Sequence, residues 1–153
     1  MDLILWRHAE AEQWVEGCND LDRSLTQRGE KQAARMGGWL DRQLPEGARI
    51  LVSPARRAEQ TALALGRKYK LRPELGPDGT PAQLLELVQW PANKSTVLVI
   101  GHQPTLGQTI SQLLALGASE CVMKKGAVWW LRHRDREGQS QTVVVSVQSP
   151  ETL

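Results

Sequence analysis

The residues best suited to chemistry in this sequence are two arginines and two histidines that follow short apolar segments. The segments 3–6, 50–52 and 97–100 lead, respectively, into Arg7 with His8, into Arg57, and into His102. A neutral imidazole is a good nucleophile toward phosphorus, and guanidinium forks neutralise the charge on phosphate oxygens. The combination predicts a site that transfers a phosphoryl group through histidine.

We assign His8 as the nucleophile, which would carry the phosphoryl group in a covalent intermediate. Arg7 and Arg57 would hold the phosphate oxygens, and His102 would donate a hydrogen bond to one of them. The neighbouring cations should lower the pKa of His8, so that its attacking nitrogen stays unprotonated near neutral pH.

Each of these residues, taken alone, also fits a plainer role. An arginine followed by a histidine carries little information by itself, and His102 could simply cap a helix or fill a core position. Of the adjacent pair Arg56 and Arg57, one should lie on a solvated helix surface. His133 stands among charged residues, so we predict that it is an exposed turn residue without a role.

Patterns of apolar residues predict strands and helices that alternate along the chain. Strands are expected at 2–6, 49–53, 96–100, 127–131 and 142–147. Helices are expected from the N-cap Thr26 to about Pro45, from Arg56 or Arg57 to Tyr69, from Thr80-Pro81 to about Trp90, and from Pro104 to Gly117. This order is typical of an α/β fold with a mainly parallel sheet. Because the carboxyl ends of parallel strands share one edge, the predicted site residues should meet there.

Length and composition narrow the classes of protein to which the chain can belong. With 153 residues and 41% hydrophobic content, residues 1–153 should form a single domain. A formal net charge of +2 without long basic runs argues against nucleic-acid binding. There is no signal-peptide pattern and no apolar run of the roughly 20 residues that a membrane span needs. We therefore expect a soluble cytoplasmic protein, and a monomer because no interface stripe stands out.

No metal or other cofactor is expected. Cys18 and Cys121 lack metal-ligand spacing, and the histidines are not spaced with carboxylates as ligands would be. Arginines already supply the positive charge that a phosphoryl group needs.

Four motifs, in this order along the chain, resemble those of the histidine phosphatase superfamily, also called phosphoglycerate mutase-like. They are Leu5-Trp6-Arg7-His8-Ala9-Glu10, Leu25-Thr26-Gln27-Arg28-Gly29, Ser53-Pro54-Ala55-Arg56-Arg57-Ala58-Glu59-Gln60-Thr61 and Gly101-His102-Gln103-Pro104. The short chain, the Arg-Ala-Glu-Gln-Thr run and the His-x-Pro element look most like the SixA-type phosphohistidine phosphatases of that superfamily.

The resemblance implies a three-layer αβα sandwich in which His8 becomes transiently phosphorylated. Arg7, Arg57 and His102 would complete the phosphate pocket. The resemblance also selects Arg57 rather than Arg56, because Arg57 begins the Arg-Ala-x-Gln-Thr pattern. Ala9 stands where the family usually has glycine, so the backbone there should not be left-handed.

The general acid is a larger departure from the family. Many relatives carry a glutamate after the second helix that protonates an alkoxide leaving group, and here Glu74 and Asp78 are candidates without a clean match. A phosphorylated imidazole is a far better leaving group than an alkoxide. The sequence therefore favours phosphohistidine over phosphate esters, with Glu74 kept as a possible general acid.

Three functions stay open at this point. The first is a phosphatase for phosphohistidine on a protein, for example a histidine phosphotransfer domain, because the loops leave no room for an insertion that roofs the pocket. The second is a phosphatase of small phosphomonoesters or sugar phosphates, or a mutase, and the third is a non-catalytic phosphate-binding module. Lys124 and Lys125 could line the rim of the pocket and attract an acidic partner.

Overall fold

Six strands form one central sheet in the computed structural model, which describes residues 1–153. They are β1 (Asp2–Arg7), β2 (Arg49–Val52), β3 (Lys70–Leu71), β4 (Val97–Gly101), β5 (Val128–Arg136) and β6 (Gln139–Gln148). Their order across the sheet is β3-β2-β4-β1-β5-β6. The first four strands are parallel, whereas β5 is antiparallel to β1 and β6 to β5. The expected mainly parallel sheet is confirmed.

Four α-helices cover the two faces of this sheet. They are α1 (Gln27–Gln43), α2 (Arg56–Leu63), α3 (Pro81–Val88) and α4 (Thr105–Leu114). Thr26 caps α1 by accepting a hydrogen bond from the amide of Gly29 at 2.9 Å, and Thr80 forms a capping box with Gln83 at the start of α3. No helix combines the length and the apolar character that a membrane span needs. Both predicted N-caps are confirmed.

The hydrophobic core lies in two layers, one on each side of the sheet. Along β1, Ile4 and Trp6 pack with residues of α1 and α2, whereas Leu3 and Leu5 pack with residues of α3 and α4. All four side chains are fully buried, as the unbroken apolar run predicts for a strand covered on both faces. The result is an αβα sandwich in which β1 is a rigid support for the residues that follow it.

The hairpin of β5 and β6 completes one edge of the sheet, and its strands are longer than predicted. β5 continues through the charged segment after residue 131, because those residues pair with β6. The prediction that His133 is an exposed turn residue is therefore wrong, since His133 lies within β5 and is only partly exposed, with its ring edge-to-face against Trp90. The turn is instead made by Glu137 and Gly138, both of which have positive φ.

Two helices are shorter than predicted, and one strand was not predicted. α2 ends before Gly66, whose φ of +76° cannot continue a helix, and Tyr69 contacts the same core from beyond the helix end. α4 ends at the left-handed residue Ala115, ahead of the predicted stop at Gly117. The two residues of β3 are exposed and become a strand only by pairing with β2.

Candidate active site

The strand ends that carry the predicted site residues meet at the carboxyl edge of the sheet. The amide of His8 donates a hydrogen bond to the carbonyl of Gly101 at 3.0 Å. On the other side of β4, the amide of Ser53 donates to the carbonyl of Ile100 at 3.0 Å. These bonds extend the sheet by one residue and bring His8, Ser53 and His102 close together.

The backbone after His8 determines which nitrogen of its neutral ring is protonated. Nδ1 lies 2.7 Å from the carbonyl oxygen of Ala9, and because a carbonyl can only accept, Nδ1 carries the proton. Nε2 is therefore the nitrogen with a free lone pair. The side chain is buried, which keeps this lone pair in a poorly hydrated site.

Ala9 also links the nucleophile to the helix that carries Arg57. The amide of Ala9 donates to Oγ1 of Thr61 at 3.1 Å, and the Thr61 hydroxyl donates to the carbonyl of Arg57 at 2.8 Å. Ala9 is fully buried and does not have a positive φ, which confirms the prediction for this position. Thr61 thus couples the position of His8 to the position of α2.

His102 lies beside His8 at the start of the segment that leads into α4. The centroids of the two imidazole rings are 5.1 Å apart, with an angle of 58° between the ring planes. Nε2 of His102 is 2.7 Å from Oγ of Ser53, and the same oxygen accepts a hydrogen bond from the amide of Ala55 at 3.1 Å. Ser53 therefore orients the His102 ring, a role that sequence reasoning did not assign to it.

Both predicted arginines lie close enough to His8 for their charges to act on it, and each has a buried guanidinium nitrogen. Nη1 of Arg7 donates to the carbonyl of Met123 at 2.7 Å. Arg57, which is 3% exposed, donates from Nη1 to the carbonyl of Asp20 at 2.9 Å and from Nη2 to its carboxylate at 3.1 Å. The Nε atoms of both arginines are buried and have no hydrogen-bond partner. Such unpaired cationic donors are suited to an oxyanion ligand.

Asp20 and Arg23 belong to this site, although sequence reasoning missed both. Asp20 opens a short 3₁₀ helix (Asp20–Asp22), and its carboxylate binds Nε of Arg23 at 2.9 Å while it holds Arg57. Arg23 also donates from Nη1 to the carbonyl of Glu12 at 2.8 Å, which ties it to the loop after β1. Asp20 is thus a bridge between a buried and a partly exposed guanidinium.

Burial and nearby cations keep both site imidazoles neutral. Burial is the largest cause that lowers the pKa of His8 to about 4, and the positive charges of Arg57 and Arg7 act in the same direction against the hydrogen bond to Ala9. Burial, followed by the charges of His8 and Arg57, lowers the pKa of His102 to about 3. The predicted direction for His8 is confirmed, but burial contributes more than the cations on which the prediction was based.

These low pKa values predict that stability falls in mild acid. Unfolded histidine takes up a proton near pH 6.5, whereas folded His8 and His102 do so only near pH 4 and pH 3. The free energy of unfolding should therefore decrease as the pH falls below 6.5, by up to about 1.4 kcal/mol per pH unit for each histidine. Urea unfolding at several pH values between 7 and 5 measures the slope. NMR titration of the two rings is the direct check, and a ring that titrates near pH 6.5 would contradict the prediction.

Glu74, the possible general acid, lies in a separate short 3₁₀ helix (Pro73–Leu75). Its carboxylate pairs with Nη2 of Arg72 at 2.9 Å and makes no hydrogen bond to His8 or His102. A hydrogen bond from its own backbone, followed by the bond from Arg72, lowers the pKa of Glu74. Glu74 and Asp78 line a cavity of about 300 Å³ that also touches Leu21. Glu74 is thus ionised at neutral pH and paired outside the cluster of imidazoles.

Two buried imidazoles with one buried and one partly buried guanidinium form an arrangement suited to bind a tetrahedral oxyanion and to attack it from histidine. The family model described as the histidine phosphatase superfamily (branch 1) matches residues 3–78. The phosphohistidine phosphatase SixA of Escherichia coli (strain K12) is 34% identical over 121 residues, which cover 74% of this chain and 74% of SixA. The chain belongs to the histidine phosphatase superfamily.

Two solved phosphatase structures have the same fold as this chain. The protein histidine phosphatase SixA complexed with tungstate is 29% identical, with a TM-score of 0.80 over 98% of this chain and 97% of that one. A phosphoserine phosphatase mutant from Entamoeba histolytica, in complex with phosphoserine, has a TM-score of 0.73 at 19% identity over 99% of this chain and 98% of its own. The second likeness concerns the fold alone. The fold of this phosphatase family therefore does not by itself select the substrate.

Proposed function

We propose that the protein is a phosphohistidine phosphatase that acts on phosphorylated proteins and carries the phosphoryl group on His8. The observation that carries the proposal is the tautomer of His8, whose Nδ1 is bonded to the Ala9 carbonyl so that Nε2 is left with its lone pair. The neighbouring Arg7 and Arg57 supply buried donors for the equatorial oxygens. A relative that binds tungstate, a tetrahedral oxyanion, supports the same use of the site.

The reaction proceeds in two displacements. In the first, Nε2 of His8 attacks phosphorus, a nitrogen–phosphorus bond forms, and the bond from phosphorus to the substrate imidazole breaks. The substrate ring, protonated on its other nitrogen, takes the electron pair of the broken bond and leaves as neutral imidazole. In the second, water attacks phosphorus and the bond between phosphorus and Nε2 of His8 breaks, so that its electron pair returns to Nε2. The protons of the water leave with the product as dihydrogen phosphate, which then equilibrates with solvent. His102, whose Nε2 lies 2.7 Å from Oγ of Ser53, would hydrogen-bond a phosphate oxygen in both steps.

The state of Glu74 supports phosphohistidine rather than an ester as the substrate. An alkoxide leaving group needs a proton in the transition state, and an ionised carboxylate paired with Arg72 does not provide one. A phosphorylated imidazole needs no such acid because it leaves as a neutral ring. The name of the E. coli relative, a phosphohistidine phosphatase, agrees with this preference.

A substrate panel with one variant tests the proposal. We expect kcat/KM for a phosphohistidine peptide to exceed that for phosphoserine, sugar phosphates and aryl phosphates by at least about 100-fold, because ester hydrolysis lacks its general acid. Glu74→Gln should leave phosphohistidine turnover within about twofold of wild type. Glu86→Gln, an exposed glutamate of α3, is the matched control.

The alternatives predict different outcomes of the same panel. Faster turnover of esters, together with a large loss of ester turnover in Glu74→Gln alone, would make the protein a phosphomonoester phosphatase with Glu74 as its acid. Phosphate binding without release of phosphate in a single-turnover experiment would make it a binding module.

A further inference from the structure

A second cationic surface lies beside the candidate active site. Arg28, Lys31 and Arg35 are exposed at three- and four-residue spacing, so they share one face of α1. They line a cavity of about 290 Å³ together with Gln32, Pro150 and Glu151, and no hydrophobic residue contributes to it. We call this feature, with Lys124 at its margin, the basic groove.

Lys124 is at the margin because it stands two residues before Gly126, which lies against Pro150 of the groove. Hydrogen bonds from Ser149 and from its own backbone lower the pKa of Glu151 most, and the charges of Lys124 and Arg28 lower it further. Both cations therefore act on the same carboxylate.

No ion pair between side chains neutralises the positive charge of the basic groove. None of the six ion pairs of the structure involves Arg28, Lys31, Arg35 or Lys124. Arg35 donates to the carbonyl of Pro150 at 3.1 Å and to an oxygen of Leu153 at 3.3 Å. Glu151 is the one side-chain carboxylate that lines the cavity. Three cations that line the cavity with a single acidic side chain form a surface that attracts a negatively charged partner.

The basic groove is continuous with the backbone that carries the nucleophile. The side-chain oxygen of Gln32 accepts a hydrogen bond from the amide of Glu10 at 2.9 Å, two residues after His8. The amide of Gly126 donates to the carbonyl of His8 at 3.1 Å, and Gly126 lies against both Pro150 and Gln32. Gln32 and Gly126 therefore connect the backbone around His8 to the residues of the groove.

The rim of the active site connects to the groove by a second route. Met123, whose carbonyl binds Arg7, is followed directly by the exposed residues Lys124 and Lys125. The carboxylate of Glu10, whose amide binds Gln32, accepts a hydrogen bond from the Thr26 hydroxyl at 2.8 Å. The two exposed residues that follow the Arg7-binding carbonyl are therefore both cations.

We propose that the basic groove docks an acidic surface of the phosphorylated protein, next to its phosphohistidine. The inference rests on the proposed function and specifies its partner, a protein with carboxylates beside the phosphorylated histidine. Electrostatic docking of this kind raises the association rate of the two proteins more than it raises their affinity.

Two phosphohistidine peptides test the groove, identical except for about eight flanking residues that are Glu in one and Gln in the other. In extended conformation such a flank reaches roughly 26 Å. We expect wild-type kcat/KM to be about tenfold higher for the Glu peptide at low ionic strength, and the preference to shrink in high salt.

The variant Arg28→Gln with Lys31→Gln should lose most of this preference. The matched control is Lys68→Gln with Lys70→Gln, which removes the same charge from exposed positions around the edge strand β3 and should retain the preference. Arg28 lies in the first turn of α1, where a cation opposes the helix dipole, so its replacement is not expected to unfold the protein.

The outcomes distinguish a failure of the docking proposal from a failure of the proposed function. A wild-type preference below about twofold, or an equal loss in the control variant, would show that the groove does not dock acidic partners. Failure to hydrolyse either peptide, with rapid turnover of esters, would instead overturn the proposed function and the docking surface with it.

Discussion

Replacement of His8 by alanine is expected to abolish the phosphoenzyme and to lower kcat by about 10⁴-fold or more, because no other group can form the covalent intermediate. Nδ1 of His8 is held by the Ala9 carbonyl, so Nε2 alone is available to attack. His102, 5.1 Å away, has its Nε2 engaged by Ser53 and does not replace it.

The measurement is covalent labelling with a radioactive phosphoryl donor. Wild-type protein should carry a label that is lost in acid and stable in alkali, as a phosphorus–nitrogen bond requires, and His8→Ala should carry none. His133→Ala is the control, because His133 lies on β5 and has no contact with the site. Undiminished labelling of His8→Ala would contradict the mechanism.

Loss of labelling must be separated from loss of fold. His8 is buried, so alanine leaves a cavity and removes the hydrogen bond to Ala9. His8→Asn keeps a polar side chain of intermediate size that is not a nucleophile, and it should also lack the label. Thermal unfolding of both variants tells whether they retain the native structure.

The sequence was sufficient to predict the elements whose burial is decided locally. β1 and β4 are unbroken apolar runs, and Thr26 and Thr80 are good N-caps, so both strands and both helix starts lie where they were expected. β3 could not be predicted, because its two exposed residues depend on pairing with β2. His133 was misplaced for a related reason, since the charged half of β5 is a strand only through its partner β6.

The candidate site was predictable where its residues stand at the ends of strands. His8 and His102 follow β1 and β4 directly, so parallel pairing alone brings them together. Asp20 and Arg23 stand in the long connection between β1 and α1, where no periodic pattern indicates which side chains turn inward. The contact between Asp20 and Arg57 depends on the path of this loop. Nothing in the sequence indicates that these two residues, which belong to different elements, lie together.

The second large effect is expected at Arg57. Arg57→Ala should lower kcat/KM by about 10³-fold, because it removes a buried cationic donor from the transferring phosphoryl group. Arg57→Lys should recover only part of this loss, since an ammonium keeps the charge but not the planar fork. Arg56→Ala is the matched control, because the adjacent Arg56 is exposed and should be replaceable with less than about a twofold change.

The same substitution should cost only a moderate amount of stability. Burial lowers the pKa of Arg57, which means that the fold holds its charge at a cost, and this is typical of a group kept for function. Asp20 is about half exposed and keeps its bond to Arg23 when Arg57 is gone, so no charge is left buried and unpaired. Arg57→Ala should therefore lose about 10³-fold in activity while its thermal midpoint falls only by the several degrees that a cavity at this buried position costs. If Arg57→Lys, which fills most of this space, restores activity and midpoint together, or if Arg56→Ala is equally impaired, Arg57 is a structural residue and the phosphate must be bound elsewhere.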